Sequence, residues 1–282
     1  MPLLNATLTA DAARRDRAGR GDRRGSPLTA REATRLVALR NLMAYRRYWM
    51  AFATGFLEPV LYLFSIGIGV GALVSGFEVG GEEIGYAAFV APAMLATSAM
   101  NGALYDATFN FFHKLRFGKL FDQMLATPLT TMDVARGEMT WSLARGGIYA
   151  LVFWLVMVAM GLVDSWWGLL APAAALLIGW AFAGVCMAVT TFMRSWQDFE
   201  YVTLATLPMF LFSATFFPVT AFPTWLQWVI EVTPLYRGVV LVRELCTGHV
   251  TWGAAFSVVY LVGLGLLGLA VVRRRLDRLL LS

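Results

Sequence analysis

Six apolar stretches of membrane-spanning length divide this chain, at approximately residues 50–74, 86–112, 140–161, 168–193, 201–217 and 252–272. A helix needs about 20 apolar residues to cross a hydrocarbon layer roughly 30 Å thick, and most of the six supply them. With 59% hydrophobic and only 15% charged residues, the chain lacks the polar surface to cover a water-soluble core of its own. The sequence therefore predicts an all-α integral membrane protein with six transmembrane helices.

Basic residues set the orientation. Eleven arginines precede Met50, residues 113–139 carry Lys114, Arg116, Lys119 and Arg136, the turn after Met193 carries Arg194, and the tail carries Arg273, Arg274, Arg275 and Arg278. The alternate loops hold only Arg237 and Arg243, while residues 75–85 show Glu78, Glu82 and Glu83 instead. Basic segments stay cytoplasmic, so both termini are expected inside a bacterial plasma membrane, with an even number of spans. The sequence pI near 9.5 follows from this juxtamembrane arginine, which orients the chain and attracts anionic lipid rather than nucleic acid. Cys186 and Cys246 fall at different depths and imply neither a disulfide framework nor a metal set.

Residues 1–28 are rich in Arg, Asp, Gly and Ala. They read as a disordered cytoplasmic tail without a signal peptide, ahead of a membrane domain at 29–282. Thr29 and Glu32 have the spacing of a capping box. Leu36, Leu39 and Met43 then recur at helical intervals, which predicts an amphipathic helix on the inner membrane surface. A plain cytosolic extension of the first span is the alternative.

Catalytic motifs are missing from the sequence. It contains no G-x-x-x-x-G-K-[ST] phosphate loop and no G-x-S-x-G elbow. By this topology His113 and His249 lie on opposite sides of the membrane, out of reach of a common metal ion. Energy must then come from a partner or an ion gradient. Intramembrane charge is confined to Glu58, Asp106 and Arg145, with Glu200 at an entrance. Asp106 and Arg145 stand near the same ends of adjacent spans, which predicts a structural ion pair. Gly67 and Gly71 have small-xxx-small spacing for close helix approach.

Two segments do not fit a plain bundle. In the inner loop, Gly118, Lys119, Leu120, Phe121, Asp122 and Leu125 belong to a predicted short helix at 118–126. Thr127-Pro128 stops it, and Thr131–Asp133 starts the next. Its apolar Leu120, Phe121 and Leu125 are expected to form a docking face, with a helix resting on lipid as the alternative. In the outer segment 217–251, Pro218, Pro223 and Pro234 interrupt an apolar run that contains Phe216, Phe217, Phe222, Trp225 and Trp228 near its start. This pattern predicts a re-entrant pair of short helices in the outer leaflet.

The run Leu211-Phe212-Ser213-Ala214-Thr215-Phe216-Phe217-Pro218, with Pro223-Thr224-Trp225-Leu226-Gln227 and Pro234-Leu235, resembles the signature of type-2 ABC transporter permeases. Glu58-Pro59-Val60-Leu61-Tyr62, Phe89-Val90-Ala91-Pro92, Ala126-Thr127-Pro128-Leu129 and Arg136-Gly137-Glu138 are similar to the nodulation lipooligosaccharide exporter branch, with daunorubicin-resistance permeases as the second choice. The likeness covers roughly residues 35–275. Ala214 departs from the Gly expected there.

The resemblance implies a six-helix half-transporter that pairs with a second permease copy, as a homodimer or with a sister chain, and with two ATPase subunits. ATP and Mg would be bound by those subunits, and this chain would hold no cofactor. It further implies that residues 114–127 form the coupling-helix region and that the hairpin at 217–244 caps the translocation path. Phe216, Phe217, Phe222, Trp225 and Trp228 would gate or stack against an amphipathic substrate there, a lipid-linked or lipidated saccharide or a hydrophobic drug. An integral membrane lipid enzyme would need a His and Asp cluster at one face, and a secondary transporter would need an inverted repeat with paired broken helices. One broken region is visible in the sequence, not two.

Overall fold

A computed structural model describes residues 29–45, 57, 59–73, 76–79 and 82–280. The predicted tail at 1–28, the start of the first apolar stretch and Glu58 lie outside the described residues.

Helix α1 (Ala30–Tyr45) begins at the predicted capping box. The Thr29 amide donates to Glu32 Oε2 at 2.9 Å, and the Glu32 amide donates back to Thr29 Oγ1 at 3.4 Å. Ala33, Val37 and Asn41 recur at four-residue spacing and are buried, while Leu36, Leu39, Leu42 and Met43 face outward. The helix thus has two uses for its faces. Its small residues pack on the protein, and its large apolar ones are free to meet lipid.

Four helices among the described residues are long and apolar enough to cross a membrane. The first is α2 (Tyr86–Tyr105), prolonged through π-helical turns at Asp106–Asn110 and His113–Phe117. Next comes a short helix, α3 (Leu120–Leu125), and then the long α4 (Thr131–Ala159), which starts nine residues before the predicted span at 140–161. The N-cap of α4 is Thr130, in a second capping box with Asp133. A 3-10 turn at Trp166–Leu170 leads into α5 (Ala171–Thr190), and α9 (Trp252–Leu280) closes the chain eight residues beyond its predicted end at 272.

Helix α2 is the hub, buried on nearly every side through Ala91, Ala93, Ala96, Ala99 and Ala103. Apolar side chains gain little from leaving lipid for protein, so close packing of small residues holds such bundles together. Helices α5 and α9 show this: a Cβ placed on Gly268 would lie 2.4 Å from the carbonyl carbon of Gly184.

The structure corrects the fifth stretch. Instead of one helix over 201–217 it forms α6 (Phe199–Leu211), 13 residues long, roughly 20 Å at 1.5 Å per residue. The chain turns at Ser213–Thr215. Ser213 Oγ bonds the Phe210 carbonyl at 2.9 Å and lies 2.7 Å from Thr215 Oγ1, while Ala214 takes a left-handed φ of +54° that no helix continues. Two helices follow, α7 (Thr224–Val232) and α8 (Pro234–Thr247). Pro223 and Pro234 stand at their starts, where a missing N–H leaves no bond unmade.

Residues 75–85 also differ from the expected loop. Strands β1 (Phe77–Val79) and β2 (Glu82–Ile84) form an antiparallel hairpin with Phe77 opposite Ile84. Phe77 lays its ring 4.8 Å from that of Phe89, which pins the hairpin to the start of α2.

Candidate functional site

Helix α3, in the loop between α2 and α4, follows Lys119, whose φ of +42° turns the chain sharply out of the π-helical extension of α2. Phe121 and Met124 point inward, only 1% and 8% exposed. The Phe121 ring packs 5.1 Å from that of Phe111. This corrects the expectation that Phe121 is an exposed docking anchor. A six-residue helix is not stable alone, and its one aromatic residue is used to fasten it to the core. Leu120 and Leu125 are half-buried, and the outward face consists of Gly118, Lys119, Asp122 and Gln123.

A buried ionic clamp lies behind α3. Glu138 of α4, 4% exposed, receives Lys114 Nζ at 2.5 Å and Arg40 Nη2 at 3.5 Å. Asn41 Oδ1 accepts from both cations, at 3.1 Å and 2.7 Å. Arg40 Nη1 also reaches Met124 Sδ at 3.6 Å. The set joins α1, α3, α4 and the extension of α2. Gly137 admits α1 to this position, since a Cβ there would lie 2.4 Å from Val37 Cβ. Sequence reasoning placed Gly137 and Glu138 in a family motif and missed the clamp. The signal was present: Glu138 falls on the same helical stripe as Val134 and Trp141, both buried, and an acid on a buried stripe requires cations.

Deeper in the bundle, the predicted pair forms. Arg145 Nη1 lies 3.1 Å from Asp106 Oδ1, with side chains 12% and 2% exposed. Arg145 Nε donates to Tyr149 Oη at 2.9 Å, and Asn110 donates to the Asp106 oxygen from the other side. Glu200 is exposed at the start of α6.

At the opposite end the five aromatic residues do not gather into one cluster. Phe216 and Phe222 turn inward, 5.4 Å from Phe210 and 5.8 Å from Phe212. Phe217, Trp225 and Trp228 face outward, the two tryptophans 69% and 70% exposed. Arg243 of α8 was not singled out, yet it ties together two of the motifs, the one at Leu211–Pro218 and the one at Phe89–Pro92. Its Nη2 donates to the carbonyls of Ala214 at 2.8 Å and Phe89 at 3.1 Å, and its guanidinium lies 3.9 Å from the Phe89 ring centre.

Between the described part of the first apolar stretch, α2 and α6 lies a cavity of about 340 Å³ with a mixed wall. Thr97, Asn101, Tyr105, Thr203 and Thr206 supply polar groups, beside Met94, Met100 and Phe210. These residues were also missed. Thr97, Asn101 and Tyr105 stand four apart, a polar stripe on an otherwise apolar helix.

Residues 32–246 match the family model described as ABC-2 type transporter. Nodulation protein J of Rhizobium leguminosarum bv. trifolii is 33% identical over 246 residues, covering 85% of this chain and 92% of that protein. Nodulation protein J of Rhizobium leguminosarum bv. viciae is 32% identical, covering 85% and 93%. The protein of that name from Rhizobium meliloti (strain 1021) is 31% identical, covering 84% and 91%. With a transporter family model over most of its length, four spanning helices and relatives aligned nearly end to end, the chain belongs to the ABC-2 type transporter family, as a membrane-embedded permease related to nodulation protein J.

Proposed function

We propose that this chain is the permease half of an ATP-driven exporter that moves an amphipathic substrate, a lipidated oligosaccharide, out across a bacterial plasma membrane. One observation carries the reading. Helix α3 is anchored from behind by Phe121, Met124 and the Glu138 clamp, and it presents Lys119, Asp122 and Gln123 outward. A helix too short to stand by itself, yet braced to three others, suits a lever that a partner pushes. The partner is an ATPase subunit, two per transporter, and ATP and Mg belong to it.

Charge supports an orientation with α3, α1 and the exposed Arg273 and Arg274 of α9 on the cytoplasmic side. Six crossings follow from that orientation, the remaining two supplied by the partly described first stretch and by α6 together with the non-helical residues up to Phe217 that continue it. Helices α7 and α8 then form the re-entrant hairpin on the outer side. The outward Tyr201, Leu204 and Leu207 of α6 suit contact with a second permease copy. The cavity of mixed wall fits a substrate with both sugar and lipid parts, since its hydroxyls and amide can meet the sugar while Met94 and Phe210 meet the chain.

The test is reconstitution in vesicles with a co-expressed ATPase subunit. ATP-dependent transport of a lipidated oligosaccharide is expected from the pair and from neither component alone. Reversing the charges on the α3 face, Lys119→Glu with Asp122→Lys, is expected to weaken ATPase recovery at matched membrane levels. Hydrolysis of ATP by the isolated chain, or undiminished ATPase recovery with the reversed face, overturns the reading.

A further inference from the structure

A crevice of about 520 Å³ separates α6 from α5. Its walls are Phe182, Val185 and Cys186 on one side and Val202, Ala205 and Met209 on the other. Helix α6 packs mainly at its two ends, through Phe199 on the rings of Phe109 and Phe112 at one and against α8 at the other, and between those ends its hold on the bundle is looser, with Val202 and Met209 only partly buried. Side chains lining an empty apolar gap forfeit their dispersion contacts. Because α5 crosses the membrane, the medium available to fill the gap is lipid, not water.

One end of the crevice is basic. Phe192, Met193 and Asp198 line it there, and an arginine touches each neighbourhood. Arg275 stacks 4.2 Å from the Phe192 ring centre, and its Nε is buried with no hydrogen-bond partner among the described groups. Arg116 Nη2 donates to the Met193 carbonyl at 3.1 Å. Arg194 donates its backbone N–H to Asp198 Oδ2 at 2.7 Å, and its side chain is exposed and close enough to Asp198 to act on that charge. The lone acid is engaged by the amides of Arg194 and Ser195, so the excess charge at this end is positive.

We propose that the crevice holds one acyl chain of an anionic membrane phospholipid, with its phosphate among Arg116, Arg194 and Arg275. Basic pockets between membrane helices on the cytoplasmic side recognise anionic head groups through charge. The apolar walls supply the chain's share of the contact. A helix of a second permease copy does not fit. It is about 10 Å across with side chains and would exhaust this volume in little more than one turn. The leaflet, the inner one, rests on the orientation proposed above; the site itself does not.

Native mass spectrometry of the full chain, from micelles holding equal phosphatidylglycerol and phosphatidylcholine with the same chains, tests the assignment. Wild type should retain phosphatidylglycerol preferentially. Ala205→Trp, which fills the crevice, should lose most of it. In Arg194→Gln with Arg275→Gln the preference should fall about fivefold for each arginine removed. Should Ala205→Trp fail to fold, Val202→Phe, which narrows the same crevice from the same wall, reports instead and should likewise lose most of the phosphatidylglycerol. Equal retention of the two lipids, or unchanged retention in the folded crevice variant, overturns the proposal.

Discussion

Ala214 holds φ at +54°, in the left-handed region where a Cβ crowds the following carbonyl and costs about 1–2 kcal/mol. The strain persists because its carbonyl is gripped by Arg243 at 2.8 Å and its neighbours Ser213 and Thr215 bond each other. Glycine meets no such penalty. Ala214→Gly should therefore raise stability by about 1 kcal/mol, read as a higher midpoint in thermal unfolding; an unchanged or lower midpoint would mean that the turn relaxes its strain elsewhere. An alanine where the resemblance leads one to expect glycine thus carries a conformational cost. Asp106 and Arg145 set the opposite case, a charge pair that cannot lose one member. Breaking a buried pair costs roughly 3–5 kcal/mol, so Asp106→Asn or Arg145→Ala alone should depress folded yield. The exchange Asp106→Arg with Arg145→Asp should restore part of it, and silence of both single changes would deny the pair any structural weight.

Three helix starts are built alike, by a hydroxyl and an acid three residues on: Thr29 with Glu32, Thr130 with Asp133, and Ser195 with Asp198. The Thr29 amide and then its hydroxyl hold the Glu32 carboxyl below its ordinary range. The amides of Arg194 and Ser195 do the same for Asp198. A depressed pKa favours the folded turn above the unfolded value, and that benefit disappears as pH falls through the folded value. The first turn of α1 and the turn before α6 should accordingly keep their amide-exchange protection from neutral pH down to the carboxylate range and lose it in more acid solution. Glu32→Gln and Asp198→Asn should flatten that dependence, and fraying already at neutral pH in the wild type would refute it. Only the first of these boxes was legible in the sequence together with its helix, because it stands alone before an apolar repeat. At the second, the helix start at Thr131 was read correctly but its capping residue Thr130 was not, and the box at Ser195 was hidden in a short turn between two apolar stretches. Periodicity located the long helices but not their ends. A run of apolar residues such as 201–217 carries no mark of where backbone bonding gives way to the turn at Ser213–Thr215. The exposed face of α3 was misjudged for a related reason. Apolar character says that Phe121 is buried somewhere, and only the three-dimensional packing says that it is buried in its own chain.

At the scale of the whole molecule, the clamp around Glu138 decides whether a push on α3 is felt by the spans. Lys114 continues from α2, Arg40 and Asn41 belong to α1, Met124 to α3 and Glu138 to α4, so one carboxylate joins three helices directly and the fourth, α3, through Arg40. Glu138→Gln removes the charge while keeping the shape, and it leaves Lys114 and Arg40 with a neutral amide. The outward face of α3 is untouched, so recovery of the ATPase subunit should stay at the wild-type level. Transport per ATP hydrolysed should fall instead, by about tenfold where a buried charged link worth more than 1.4 kcal/mol is lost. A mere loss of folding would mimic this outcome, because Lys114 would be a buried cation without its partner. The double change Lys114→Met with Glu138→Gln separates the two. It removes the buried pair and leaves only Arg40, whose side chain is 32% exposed, without its carboxylate, a smaller cost than a buried cation alone, but it does not rebuild the ionic link between α4 and the end of α2. The double variant should insert normally, bind the ATPase, hydrolyse ATP and still transport poorly. Normal coupling in that variant would show that the clamp holds the inner ends of the helices together without carrying the stroke between them.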